Sequence, residues 1–427
     1  MYAGVYRKSN APGQFSICIL IIEMATIRPF RAIHPNPFYA DQLVFTKPQA
    51  ESVAGDTRQS GGVPPLKTLL ETGARHRPET PGGQALAYQD INETLKDLLE
   101  SERLWLDATP CIYVYEVAHT SYKQVGIWAQ TDLDEPIKTH ERTFDDSVRR
   151  IKNYRENTGL EGSPILLTYY PDPVVNVIIA ETKQRFPDVC FESISGVHQL
   201  WKIEKPGTLE QLISAFAGID AVYLADGHHR KRSARLLLQE QIKNGQSVFS
   251  TISALYMSTA ELKVRKYNRV VIPDQPVDKG ELFKRLLPHF YVQESFDNKA
   301  VQPFEEREIG MCIQGEWYRL RAKPNTFNGC AKNSILDVCI LQDYILAPIF
   351  HINDPATDLR LKHTGGEKAT AEMDAILQAY PNAIGFTLCP MTVTQLCTAA
   401  DNGIDLPPKS TWIDPKIPYG LLLYKHQ

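Results

Sequence analysis

The sequence predicts a mixed α/β (α+β) fold, with mixed sheets in its middle part and a C-terminal α+β region. Three observations carry this. In the middle third, short apolar runs alternate with amphipathic ones: "SPILLTYY", "SGVHQLWKI" and "AVYLA" read as strands, and "TFDDSVRRIKNYRENTG", "PVVNVIIAETKQRF" and "TLEQLISAFAG" as helices. Beyond Gly245 strand-like runs become frequent. The length, 427 residues, exceeds one ordinary core and implies two or three domains.

In chain order, residues 1–23 read as an extension before Met24. Its apolar run "SICILII" is far too short to span a bilayer. An N-terminal α+β region, 24–135, follows. It holds the β-like pieces "ATIRPF" and "LVFTK", a glycine-rich loop over 49–65, and a helix with Ile91, Leu95, Leu98 and Leu99 on one face. Two strands, "CIYVYEVAH" and "KQVGIWAQT", close it. The α/β unit spans 136–250, its first helix capped by Thr143 and stopped by Gly159. The C-terminal region, 251–427, carries strands "STISALYMS", "KYNRVVIP", "EIGMCIQ" and "EWYRLRAKP", the last two a hairpin about Gly315 and Glu316. "SILDVCILQDYILAPIF" and "KATAEMDAILQAY" read as helices.

A net charge of −4 argues against a broad basic surface for nucleic acid. The eight cysteines, at 18, 111, 190, 312, 330, 339, 389 and 397, form no CxxC pair and no cluster with histidines at zinc-ligand spacing. Scattered in apolar runs, they read as reduced core thiols, which points to the cytoplasm.

The chemistry concentrates in "AVYLADGHHRKRSARLLLQE", where a strand hands over to a helix. A helix beginning near His228 offers unsatisfied N–H groups and the positive end of its dipole, and Gly227 lets a ligand approach the backbone. That is an anion site suited to phosphate. Arg230 shares a stripe with Ala234, Leu237 and Gln241, so it heads an inward face and needs an anionic partner. Asp226 acting only as a helix cap is the plainer alternative. Adjacent histidines diverge on a helix, which disfavours a metal between His228 and His229.

"LPPKSTWIDPKIPYG" lacks the upstream glycines of a P-loop. It remains a stiff loop that fixes Lys409, Ser410 and Thr411, with Lys416 nearby, and reads either as a polyanion site or as a surface turn. "KTHERTF" places Glu141 beside His140 at a helix start, as a general base or as a complement to the helix dipole. "NRVV" (268–271) and "LKHTGGEKA" (361–369) read as basic or glycine-bearing turns that could line a cleft.

In the order "IRPFRAIHPNP", "HERT", "YLADGHHRKRSA", "NRVV", "LDVCILQDYIL", "DPATDLRL" and "LPPKSTWIDPKIPYGLLLY", these motifs resemble domain-of-unknown-function family 1015, from about Ala25 onward. More distantly, the Asp-Gly-His-His-Arg turn resembles the phosphate-binding turn of the ParB/sulfiredoxin superfamily, which includes an ADP-dependent free-serine kinase. That resemblance implies a ParB/sulfiredoxin-like nucleotide-binding unit. In it Gly227, His228, His229 and Arg230 would grip nucleotide phosphates, joined by Lys409, Ser410 and Thr411. Asp226 would hold Mg²⁺ or orient an acceptor hydroxyl, and Glu141 is a candidate base, with His228 beside them in the reaction. The turn has no cysteine, which excludes sulfiredoxin's chemistry there.

The function expected is a kinase using ADP or ATP on a small hydroxyl compound, L-serine being the first choice. A non-catalytic nucleotide- or metabolite-binding regulator and a phosphohydrolase are the alternatives. Phosphoryl transfer needs phosphate positioning, charge neutralisation and an oriented acceptor more than covalent chemistry, and these residues supply those parts.

Overall fold

A computed structural model describes residues 25–46, 64–71, 81–141, 143, 145–296, 299–327, 336–407 and 409–426. The expected extension 1–23 and most of the 49–65 loop lie outside the described residues. The fold is mixed α/β, built on two large sheets. The first has seven strands: β1 Ile112–Ala118, β2 Lys123–Asp132, β3 Ile165–Tyr169, β4 Val189–Ser193, β5 Gly196–Ile203, β6 Tyr223–Asp226 and β7 Thr251–Ser258. Their order is β4-β5-β1-β2-β7-β3-β6, antiparallel throughout except between β3 and β7.

Alternation along the strands explains why the runs are apolar on both faces. Ile112, Val114, Ile165 and Leu167 turn toward one core, which helices α3 (Pro173–Thr182), α4 (Pro206–Ala217) and α5 (His228–Lys243) complete. Tyr113, Tyr115, Trp128 and Leu166 turn to the other, packed by Phe30 and Ala32 from the start of the chain and Leu421 and Leu422 from its end. Helix α1 (Pro81–Glu100) buries Ile91, Leu95 and Leu98, as its spacing predicts. Helix α2 (Asp145–Thr158) ends at Gly159, whose φ of 63° is the left-handed stop. Thr143 accepts a hydrogen bond from Arg232 Nη1 at 2.6 Å.

The second sheet is antiparallel: β8 Tyr267–Val271, β9 Phe290–Ser295, β10 Glu308–Ile313, β11 Glu316–Ala322, β12 Leu361–Gly365 and β13 Ile384–Leu388, in the order β9-β11-β10-β13-β8-β12. The β10–β11 hairpin turns on Gln314 and Gly315, both at positive φ, the two-residue geometry that follows strand twist. Helices α6 (Lys279–Leu286) and α7 (Ala369–Ala379) accompany this half, while α8 (Val393–Asp401), opening on a Thr392–Gln395 capping box, packs Leu396, Cys397 and Ala400 into the core of the first sheet.

Two expectations need correction. The single helix read over "LDVCILQDYILAPIF" is an α-helix at Asp337–Leu341, a π turn at Gln342–Leu346 and a short helix at Ala347–Phe350. Pro348 has no N–H for an i−4 carbonyl, so a regular ladder cannot run through it. The segments read as turns at 268–271 and 361–369 are instead largely paired strands, with Asn268 opposite Thr364 and Arg269 opposite His363.

The C-terminal segment ties the halves together. Trp412–Asp414 pairs with Lys263–Arg265, Leu423 bridges Ile33, and Tyr424–Lys425 pairs with Leu160–Glu161. Of the described cysteines, 111, 312, 339 and 397 are buried and all six are free. No helix among the described residues is long and apolar enough to cross a membrane.

Candidate active site between the two sheets

Strand β6 ends at Asp226, Gly227 turns the chain at φ 99°, and α5 starts at His228. Gly227 is the N-cap and no side chain caps the helix, so the first N–H groups stay available to a ligand. A Cβ at Gly227 would sit 3.0 Å from the Arg230 guanidinium and from Ile165. Gly227→Ala is therefore expected to destabilise the fold by about 1–2 kcal/mol through left-handed strain alone, read as a lower denaturation midpoint.

Glu141 arrives from the segment ahead of α2. That segment is pinned at both ends: Lys138 lies beside β6, and Leu406 donates its N–H to the His140 carbonyl at 2.8 Å. The Glu141 carboxylate thereby lies 4.0 Å from His228 Nδ1. Its side chain is only 19% exposed, and burial, then the Asp226 charge, push it up to about 7. The Lys409 N–H and the Lys416 and Lys409 charges pull the other way without cancelling that rise.

Asp226 behaves oppositely. Burial would raise it, but Lys416, Arg230 and His228, with the Gly227 N–H, hold it at about 2. Lys416 Nζ stands 3.7 Å from its carboxylate and lies over the Trp412 ring. Two carboxylates in one site thus differ in proton affinity, one ready to exchange a proton near neutrality and one fixed as an anion.

The histidines are neutral. Burial lowers His228 to about 3 and His140 to about 4, and their rings meet edge to face at 4.7 Å. Both nitrogens of His140, and Nε2 of His228, have no hydrogen-bond partner. His229 is half-buried and is also lowered, by burial and then by Arg230 and Arg232. So His228 can serve a phosphate as an N–H donor and not as a cation.

The residues singled out in the sequence divide. Asp226, Gly227, His228, Glu141 and Lys409 converge, which brings the Asp-Gly-His-His-Arg turn and the Lys-Ser-Thr loop together. Arg230 faces a neighbouring cavity of 960 Å³ with Arg149, Arg150, Lys67, Tyr88 and Tyr154 on its walls. Ser410 donates to the Pro407 carbonyl and borders a smaller pocket of 220 Å³, and Thr411 is half-buried beside it.

Sequence reasoning missed the contribution of the second sheet. Tyr267, raised to about 12 by burial, and Arg269 both lie within the electrostatic reach of Glu141. His363 sits opposite Arg269 and is driven down to about 2 by burial and then by Arg269, Lys409 and Lys362. The arginine in "NRVV" and the histidine in "LKHTGGEKA" were the available signals.

The family described as "Protein of unknown function (DUF1015)" matches residues 27–339. No curated protein matches the chain. Among solved structures, SbnI with a C-terminal truncation, from Staphylococcus aureus, is 10% identical, covering 68% of this chain and 83% of its own, with a TM-score of 0.38. A conserved hypothetical protein from Pyrococcus furiosus is 12% identical over 70% of this chain and 95% of that one, TM-score 0.36. A mutant free serine kinase in complex with ADP is 14% identical over 70% and 92%, TM-score 0.39.

Proposed function

The chain belongs to the DUF1015 family, whose description assigns no reaction, and from that premise we propose that it is a nucleotide-dependent small-molecule kinase. It moves the terminal phosphoryl group of ADP or ATP to the hydroxyl of a small compound, with L-serine the first acceptor to test. The observation that carries the reading is the pairing of a near-neutral Glu141 carboxyl with an uncapped helix N-terminus flanked by lysines.

In this reading the phosphates bind the first N–H groups of α5, from His228 onward, with Lys409, Lys416 and Arg230 neutralising their charge. Ionised Glu141 takes the proton from the acceptor hydroxyl. The acceptor oxygen bonds to phosphorus, and the bond to the bridging oxygen breaks, its electron pair leaving with AMP or ADP. The neighbouring 960 Å³ cavity has the size and the aromatic and basic walls to take a nucleotide. Asp226 is a single carboxylate, and no three His, Cys, Asp or Glu side chains group as a metal site among the described residues. A Mg²⁺ ion there would draw its other ligands from the phosphates.

The test is incubation with Mg²⁺, ADP or ATP and L-serine, measuring phosphoserine. Nucleotide binding without turnover makes the protein a regulator, and phosphate release without acceptor makes it a hydrolase. If no nucleotide raises the melting temperature, every nucleotide reading fails. Turnover should rise with pH and reach half its maximum near the Glu141 value of about 7, because the base must lose its proton first. Arg230→Ala should weaken nucleotide binding about ten- to a hundredfold, the loss of one charge-assisted contact, with the denaturation midpoint nearly unchanged.

A further inference from the structure

Arg269 is 1% exposed in the middle of the second sheet, where β8 pairs with β12 on one side and β13 on the other. A buried guanidinium needs every donor placed, and the known acceptors here are main-chain carbonyls: Lys409 at 2.9 Å, Tyr267 at 3.1 Å and Asn268 at 3.3 Å. Two of these belong to its own strand. The third is 140 residues away, on the loop that faces Glu141. Lys409 itself sits at φ 57°, a left-handed conformation that a lysine adopts only when its surroundings impose it. That conformation delivers the Lys409 N–H to the Glu141 carboxylate.

We propose that Arg269 is the positioning residue of this site: its fork grips the Lys409 carbonyl and so holds the Lys409 N–H on Glu141. It touches no reacting atom. It acts through one residue, whose carbonyl it holds while the loop presents that residue's own N–H to the base. A lysine cannot replace it, because the planar fork serves a remote carbonyl and two local ones at once. The groups that face Glu141 from the surrounding elements are Asp226 and His228 on the turn, Lys409 and Lys416 on the loop, and Tyr267 and Arg269 on β8. The assignment of Glu141 as base belongs to the proposed function, but its coupling to Arg269 does not require turnover.

The experiment uses the full chain with Arg269→Lys, which keeps the charge, and Arg269→Met, which keeps most of the volume and leaves no buried charge unpaired. Hydrogen exchange reads the loop over 406–412. The Glu141 carboxyl titration is followed by carbon NMR of labelled glutamate, its signal identified by its loss in Glu141→Gln. Both variants are expected to lose loop protection while β1 and β2 keep theirs. In both, the Glu141 midpoint should move to higher pH, on the order of tenfold in proton affinity, because a hydrogen bond to the ionised form is lost. A folded Arg269→Lys chain with wild-type loop protection and an unmoved midpoint overturns the proposal. So does a shift confined to Arg269→Met, which would make the effect one of charge alone. If the wild-type enzyme transfers no phosphate yet these shifts occur, the kinase reading fails and the positioning role stands.

Discussion

Glu141→Gln is expected to lower phosphoryl transfer by about 10²–10⁴-fold, the usual contribution of a general base, while nucleotide binding changes little. The same variant should be more stable than the parent at pH 8. Burial raises the folded carboxyl from 4.5 to about 7, so the folded chain holds a proton there that the unfolded chain releases. Glu141 therefore favours the fold below about 4.5 relative to high pH, and that contribution disappears as pH rises to about 7. Glutamine does not titrate. The stability difference between the two chains should open across this window and reach about 3 kcal/mol above it. Urea unfolding at pH 4 and pH 8 measures both limits. Equal midpoints at pH 8 would mean that Glu141 ionises as freely as it does in water, and the base assignment would lose its physical ground.

Glu161→Ala should cause the largest loss of stability, about 3–5 kcal/mol. Glu161 is buried where three parts of the chain meet. It accepts from Arg155 Nη1 at 2.9 Å, from the Ser253 N–H at 2.7 Å, and pairs with His426 Nε2 at 2.5 Å. Arg155 is 4% exposed, and removing the carboxylate leaves its guanidinium in the interior with only neutral acceptors, the Thr251 carbonyl among them. Burial acts to raise Glu161, but Arg155 and His426 outweigh it and hold it below the usual range, so its stabilisation is present near neutrality and is lost as pH falls. Guanidinium unfolding at pH 7 is the measurement. A double replacement of Arg155 and Glu161 by apolar residues of similar volume should recover much of the loss, because it removes the unpaired charge as well.

The local architecture was legible where one period dominated. β1, β2, β3 and β7 are continuous apolar runs because both faces of the first sheet are covered, and α1 shows its buried stripe directly. The edge strand Val189–Ser193 was missed because one of its faces is exposed and its apolar residues are only Val189, Cys190 and Phe191. Within the site, the helix start at His228 and the left-handed Gly227 follow from residues close in sequence. What could not be read is anything that depends on pairing distant segments. Lys416 meets Asp226 across 190 positions, and Arg269 reaches Lys409 across 140. Nothing in the local pattern of "NRVV" distinguishes an arginine on a turn from one buried in a sheet. The neutrality of His228 was equally hidden, since it comes first from burial and then from His140, which is distant in sequence, with His229 and Lys231 adding less.

The threading of the C-terminal segment has a temporal meaning. Lys409, Lys416 and His426 are made well after Glu141, Asp226 and Glu161, yet each completes a contact with one of them. A nascent chain can form the strands of the first sheet while Glu141 and Asp226 still lack their lysines. The proposed phosphate site is thus assembled only after synthesis has passed residue 416, and a half-made chain carries the turn without the lysines beside it.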